Sequence, residues 1–111
     1  MRLNNVTEWV KVANIADIPS GGRSWYDFEE ETDIVINLNG IFYCIADLCS
    51  HDGGPLGDGE LKDSAIACPR HGACFDVRSG AALTMPAPSP IPTYAVKAED
   101  GVVYVESPDL W

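Results

Sequence analysis

Two short pairs, Cys49-Ser-His51 and Cys68-Pro-Arg-His71, each join a thiol to an imidazole, and sixteen residues lie between the pairs. If the two loops meet, they present two sulfurs and two nitrogens to one metal centre. That is the donor set of a [2Fe–2S] cluster whose thiolates bind one iron and whose imidazoles bind the other. A zinc finger orders its donors differently, Cys with Cys and His with His along the chain. A structural zinc held tetrahedrally by the same four side chains is the alternative. The chain has two histidines, and both fall in these pairs. The chemistry they suit is one-electron transfer. Of the remaining thiols, Cys44 alternates with Phe42 and Ala46, as a small buried hydrophobe would. Cys74, three residues beyond His71, is near enough to raise ligand exchange, but packing is favoured because Cys68 and His71 complete the pair.

The elements that must carry these pairs read as strands. Trp9-Val10-Lys11-Val12 alternates, and residues 17–22 are dense in turn formers. Arg23 to Glu29 alternates aromatic with polar residues. Asp33 to Leu38 meets Asn39-Gly40, a two-residue hairpin signal, and Ile41 to Ala46 follows. Ser64 to Ala67 leads into the second pair. Phe75 to Arg78 and Ala81 to Leu83, across Ser79-Gly80, suggest another hairpin. Tyr94 to Lys97 and Val102 to Val105, across Asp100-Gly101, suggest a third. The fold expected is all-β, an antiparallel β-sandwich with a small cluster-binding subdomain inserted between strands. Both pairs then sit at loop tips just after strands. In the first loop, Gly53, Gly54, Gly57 and Gly59 could turn backbone N–H groups toward sulfur. The acidic run Asp27, Glu29-Glu30-Glu31 and Asp33 reads as a solvated turn. Trp9, Trp25 and Trp111 read as core or edge aromatics, and Asp76 and Arg78 could pair at the base of the second loop.

A chain of 111 residues fits a single domain, 1–111, with cluster-binding loops at about 47–60 and 66–76 and a proline loop at about 84–92. The net charge of −10 excludes nucleic acid as a partner and suits steering toward basic docking surfaces. No apolar run is long enough to span a membrane, and Met1-Arg2-Leu3-Asn4-Asn5 does not open a secretory signal. The expected location is cytoplasmic, where a Cys44–Cys74 disulfide is disfavoured. The expected state is a monomer.

These residues closely resemble the Rieske iron–sulfur family. Its pattern, Cys-x-His, a spacer of similar length and Cys-x-x-His, is matched by Cys49, His51, Cys68 and His71. Gly54-Pro55-Leu56 and His71-Gly72-Ala73-Cys74-Phe75-Asp76 follow the family's loop sequences. Met85-Pro86-Ala87-Pro88 resembles its proline loop over the cluster. The resemblance implies one [2Fe–2S] cluster held by those four residues, with Cys49 and Cys68 on the inner iron and His51 and His71 at the exposed tip. It also implies an apolar docking rim framed by Leu56, Gly72 and Pro86.

The departures are as informative. Respiratory members carry an extra cysteine in each loop, joined as a disulfide; here those positions are Gly54 and Arg70. Respiratory members also place a serine and a tyrosine after the second histidine, where this chain has Ala73 and Phe75. Hydrogen bonds to sulfur favour the reduced state, so their loss implies a low potential, roughly −150 mV. The chain is therefore similar to the ferredoxin component of ring-hydroxylating and related non-haem iron oxygenases. Such a component is not itself an enzyme: it passes electrons from a ferredoxin reductase to a terminal oxygenase through transient contacts. No histidine remains for a mononuclear iron site, and no nucleotide-binding glycine motif is present. The competing expectation is a small Rieske subunit of a larger enzyme, nitrite-reductase-like, or a redox-sensing module.

Overall fold

The computed structural model describes residues 9–28, 31–50, 53–70, 72–84 and 89–106. Ten strands and one short 3-10 turn make up the regular structure of these residues. The longest strand, β3 (Glu31–Leu38), pairs antiparallel with β2 (Arg23–Phe28) on one side and β4 (Ile41–Ala46) on the other. The β3–β4 turn is Asn39-Gly40, with φ of +55° and +93°. Left-handed backbone at both central positions matches the right-handed twist of the flanking strands, as the Asn-Gly signal requires. The buried Asn37 secures the turn: its carbonyl oxygen accepts from the Gly40 N–H at 2.7 Å, and its amide donates to the Ile18 carbonyl at 2.7 Å.

Residues 33–37 of β3 are all buried, so this stretch has no solvent face. Ile34 and Ile36, with Ile45 of β4, face one core, which they share with Cys49, Leu56, Ile66, Cys68 and Phe75. Val35 and Cys44 face a second core with Ile18, Val103 and Val105. The second core is the sandwich proper. Its opposing sheet has the order β1–β10–β9, formed by β1 (Trp9–Asn14), β10 (Val102–Glu106) and β9 (Val96–Glu99). The first core lies under the inserted sheet β5–β6–β7, made of β5 (Leu61–Lys62), β6 (Ala65–Ala67) and β7 (Cys74–Asp76). An antiparallel sandwich with a subdomain between its strands is the fold expected.

Three local readings change. The stretch Tyr94–Lys97 is divided at Ala95: β8 (Thr93–Tyr94) pairs with β4, while β9 joins β10 in the other sheet. One segment thus stitches both sheets, which alternation within it could not reveal. The hairpin around Ser79-Gly80 shrinks to a single bridge, Phe75 to Ala82. The short strand β5, with the polar sequence Leu-Lys and a turn at Asp63, had no apolar signal of its own.

The acidic run is not simply a solvated turn. Glu31 and Asp33 are strand residues, and Asp33 is fully buried opposite Tyr26; Glu29 and Glu30 lie outside the described residues. The Tyr94 hydroxyl donates to Glu31 at 2.5 Å, and the Tyr26 hydroxyl lies 3.4 Å from the Cys44 sulfur. Neither carboxyl oxygen of Asp33 meets a donor in hydrogen-bond geometry. Burial first, and the neighbouring Glu31 carboxyl second, push the Asp33 carboxyl up to about 8. Burial likewise holds the Cys44 thiol up at about 12, so it stays protonated and inert.

A group that holds its proton more tightly when folded makes stability fall as pH rises, between its unfolded and folded values. For Asp33 that window runs from 3.8 to about 8. Asp33→Asn should therefore flatten the decline across this window. It should raise stability relative to the parent by up to about 1.4 kcal/mol per pH unit across the window, with little change near pH 4. Thermal unfolding of both chains at a series of pH values measures the difference.

Candidate iron–sulfur site

Cys49 and Cys68 each open a tight backbone turn, and the two turns are closed in the same way. In the first, the Cys49 N–H donates to the Gly54 carbonyl at 2.8 Å, and the Gly53 N–H donates back to the Cys49 carbonyl at 2.7 Å. In the second, the Cys68 N–H donates to the Ala73 carbonyl at 2.7 Å, and the Gly72 N–H donates back to the Cys68 carbonyl at 2.8 Å. The glycines have φ of +76° and +75°, a region where a side chain would be strained. The loops are thus two copies of one turn, each with a cysteine first. His51 and His71 fall within these spans in sequence, and both lie outside the described residues, as does Asp52.

The two cysteines are 0% and 1% exposed and sit in one apolar cluster with Leu56, Ile66, Ala73, Phe75, Val77 and Ile91. This placement fits an iron–sulfur cluster on its inner side. Two thiols on matched turns share one water-poor cradle, and each turn carries one imidazole in its sequence. Among the described residues no group of three His, Cys, Asp or Glu side chains forms a further metal site.

The turns are held from outside by residues that motif reading missed. Asp47 Oδ1 accepts from the Leu56 and Gly57 N–H groups, both at 2.7 Å. Arg23 Nη1, from β2, donates to the carbonyls of Gly57 at 2.5 Å and Gly59 at 2.8 Å. Gly57 packs against the Trp25 indole, and Gly59 against the Ala67 carbonyl, with no room for a Cβ at either position. Arg23 is distant in sequence from the loop it grips, so no local pattern pointed to it. An aspartate two residues before Cys49 was a weaker, readable clue, since Asp is a ready acceptor for turn N–H groups.

Three of the four glycine N–H groups expected to face sulfur have other acceptors. Gly53 donates to Cys49, Gly57 to Asp47 and Gly59 to Leu56. Gly57 and Gly59 permit close approach of neighbouring groups, and Gly53 supplies a left-handed turn position. Leu56 is completely buried and therefore cannot frame a docking rim. Gly72 is exposed, Pro86 lies outside the described residues, and Leu83 is the large exposed apolar side chain nearby in sequence, at 52%. Cys74 lies on the face of β7 opposite Phe75, partly exposed, with its thiol directed to the Gly72 carbonyl at 3.5 Å. No disulfide joins any of the four cysteines, and Cys44 lies in the other core. Asp76 and Arg78 pair as expected, with Nη2 to Oδ2 at 3.0 Å and Nε to Oδ1 at 3.2 Å. The guanidinium and further N–H bonds hold the Asp76 carboxyl below its usual value.

The proline segment is pinned at both ends. Thr84 Oγ1 accepts from the Cys74 N–H at 2.9 Å, beside the second turn. The Ser50 hydroxyl, inside the first turn, donates to the Ser89 carbonyl at 2.5 Å. Met85 to Pro88 themselves lie outside the described residues. Trp9 is an edge aromatic with the Lys97 ammonium 4.8 Å from its ring centre, Trp25 covers Gly57, and Trp111 is outside the described residues.

Residues 8–95 match the Rieske [2Fe–2S] domain. The chain is 36% identical over 96 residues to the 3-phenylpropionate/cinnamic acid dioxygenase ferredoxin subunit of Escherichia coli K12, covering 86% of this chain and 90% of the relative. It is similar to Sphingomonas yanoikuyae B1 ferredoxin, with a TM-score of 0.83 and 32% identity over 91% of this chain and all of that one. It also superposes on a chain from a complex of reduced oxygenase and oxidized ferredoxin in carbazole 1,9a-dioxygenase. There the TM-score is 0.85 and the identity 29%, over 89% of this chain and 93% of the other. No helix among the described residues is long and apolar enough to cross a membrane. With its two matched cysteine turns and a match spanning most of its length, the chain belongs to the Rieske [2Fe–2S] domain family.

Proposed function

We infer that this protein is a low-potential Rieske ferredoxin that carries single electrons from a ferredoxin reductase to the terminal component of a non-haem iron oxygenase. The observation that carries this reading is the pair of buried thiols, Cys49 and Cys68, on two identically closed turns in one apolar cradle. Cys49 and Cys68 would hold one iron, and His51 and His71 the other. The cluster supplies a one-electron couple; the chain supplies everything that poises it. Matched turns fix the sulfur positions, Arg23 and Asp47 hold the first loop in register, and the apolar cradle excludes water from the thiolate side. The acidic charge of −10 supports brief, electrostatically steered encounters with basic partner surfaces. We place the work in the cytoplasm, with the chain as a monomer.

Anaerobically purified, dithionite-reduced protein should give a Rieske-type electron paramagnetic resonance signal coupled to two imidazole nitrogens. A silent sample with one zinc per chain would overturn the reading.

Ala73 and Phe75 are both fully buried beside the cysteines and offer sulfur no hydroxyl donor. The midpoint potential should accordingly lie at roughly −150 mV. Ala73→Ser and Phe75→Tyr should each raise it, by on the order of 60 mV where the hydroxyl favours the reduced state tenfold. Spectroelectrochemical titration reads both values.

A further inference from the structure

Arg70 belongs to the second turn and is exposed, yet its guanidinium lies on the first. A Cβ built on Gly54 would stand 2.8 Å from Arg70 Cζ, 2.8 Å from Nη2 and 3.1 Å from Nε. An edge-on guanidinium would bring its nitrogens well inside its central carbon. Near-equal distances mean that the flat face is turned toward Gly54. That geometry suits a planar, delocalised cation seated on backbone.

The location gives the contact its meaning. Gly54 supplies the carbonyl that closes the first turn onto Cys49, and Arg70 lies within the span closed by Cys68 and Ala73. One side chain therefore crosses from one thiol-bearing turn to the other. Gly54 is also absent from the glycines with positive φ. Its backbone does not demand glycine; a side chain there would displace the Arg70 guanidinium. Among residues 49–54 and 68–73, Arg70 is the one Lys or Arg. Other cations are engaged elsewhere: Arg23 with loop carbonyls, Arg78 with Asp76, and Lys97 over Trp9 and Tyr104.

We propose that Arg70 is a positioning residue that straps the two cysteine turns together through its seat on Gly54. The permanent charge of the strap favours the reduced centre and raises its potential. This rests on reading the turns as the cluster turns. The sign follows from electrostatics: a fixed positive charge stabilises the state that has gained an electron.

The test uses the full-length protein as purified, with two readouts. Amide hydrogen exchange at Cys49 and Gly53 reports the strap whatever metal is bound, and the midpoint potential reports its charge. Arg70→Gln should speed exchange at both amides roughly tenfold, the effect of losing one local tie, and lower the potential. Arg70→Lys should keep the potential near that of the parent while exchange stays fast, because an ammonium has charge but no flat face. Gly54→Ala should speed exchange although Arg70 is intact, because the added methyl removes the seat. Parental exchange in Arg70→Gln would overturn the strap, and an unchanged potential in the same variant would overturn its electrical role. Fast exchange in a variant of a zinc-containing parent would preserve the strap and sink the carrier reading alone.

Discussion

The sheet β2–β3–β4–β8 must be covered on both faces, and most of the molecule follows from that requirement. Residues 33–37 of β3 are buried without a break, so every side chain of this stretch needs a partner on one side or the other. Val35, with Cys44, meets Val103 and Val105 of the β1–β10–β9 sheet. Ile34 and Ile36, with Ile45, meet the inserted sheet and the two cysteines. The cysteine turns are therefore docked against the same strand that organises the sandwich. Burying an aliphatic side chain of this size is worth about 1.5–3 kcal/mol, and three isoleucines do so directly beneath the site.

The two-sided burial also explains the orphan carboxylate. Asp33 lies between Glu31 and Val35 in β3, and strand alternation sends it into the sandwich core whatever its charge. A polar residue there finds Tyr26 and Glu31 nearby, and no cation among the described residues. Its proton is the cheapest substitute for a missing partner.

Much of this was legible in the sequence because the decisive signals were local. The Asn39-Gly40 turn, the strand Ile41–Ala46, the loop positions of Cys49 and Cys68 and the burial of Cys44 all followed from short-range pattern and chemistry. What escaped depended on contacts between distant segments. Arg23 looked like one polar residue of an alternating strand until its guanidinium met the carbonyls of Gly57 and Gly59. Leu56 followed a familiar loop sequence and was expected at the rim, but the loop folds it into the core. Tyr94 was assigned with its chain neighbours, whereas pairing with Cys44 draws it into the other sheet. The acidic run misled because composition cannot say which of five carboxylates a strand will turn inward.

The sheet that separates the two cores has a consequence for electron traffic. Cys49 and Cys68 lie on one side of β3, and the whole sandwich lies behind it, adding a further sheet spacing of about 10 Å. Tunnelling falls steeply with distance through such a barrier. For a centre held by these turns, the sandwich is an insulating back wall, and exchange favours the loop end. Donor and acceptor must then use the same doorway in succession. That is the geometry of a shuttle that lets go of one partner before serving the next, and not of a wire clamped between both.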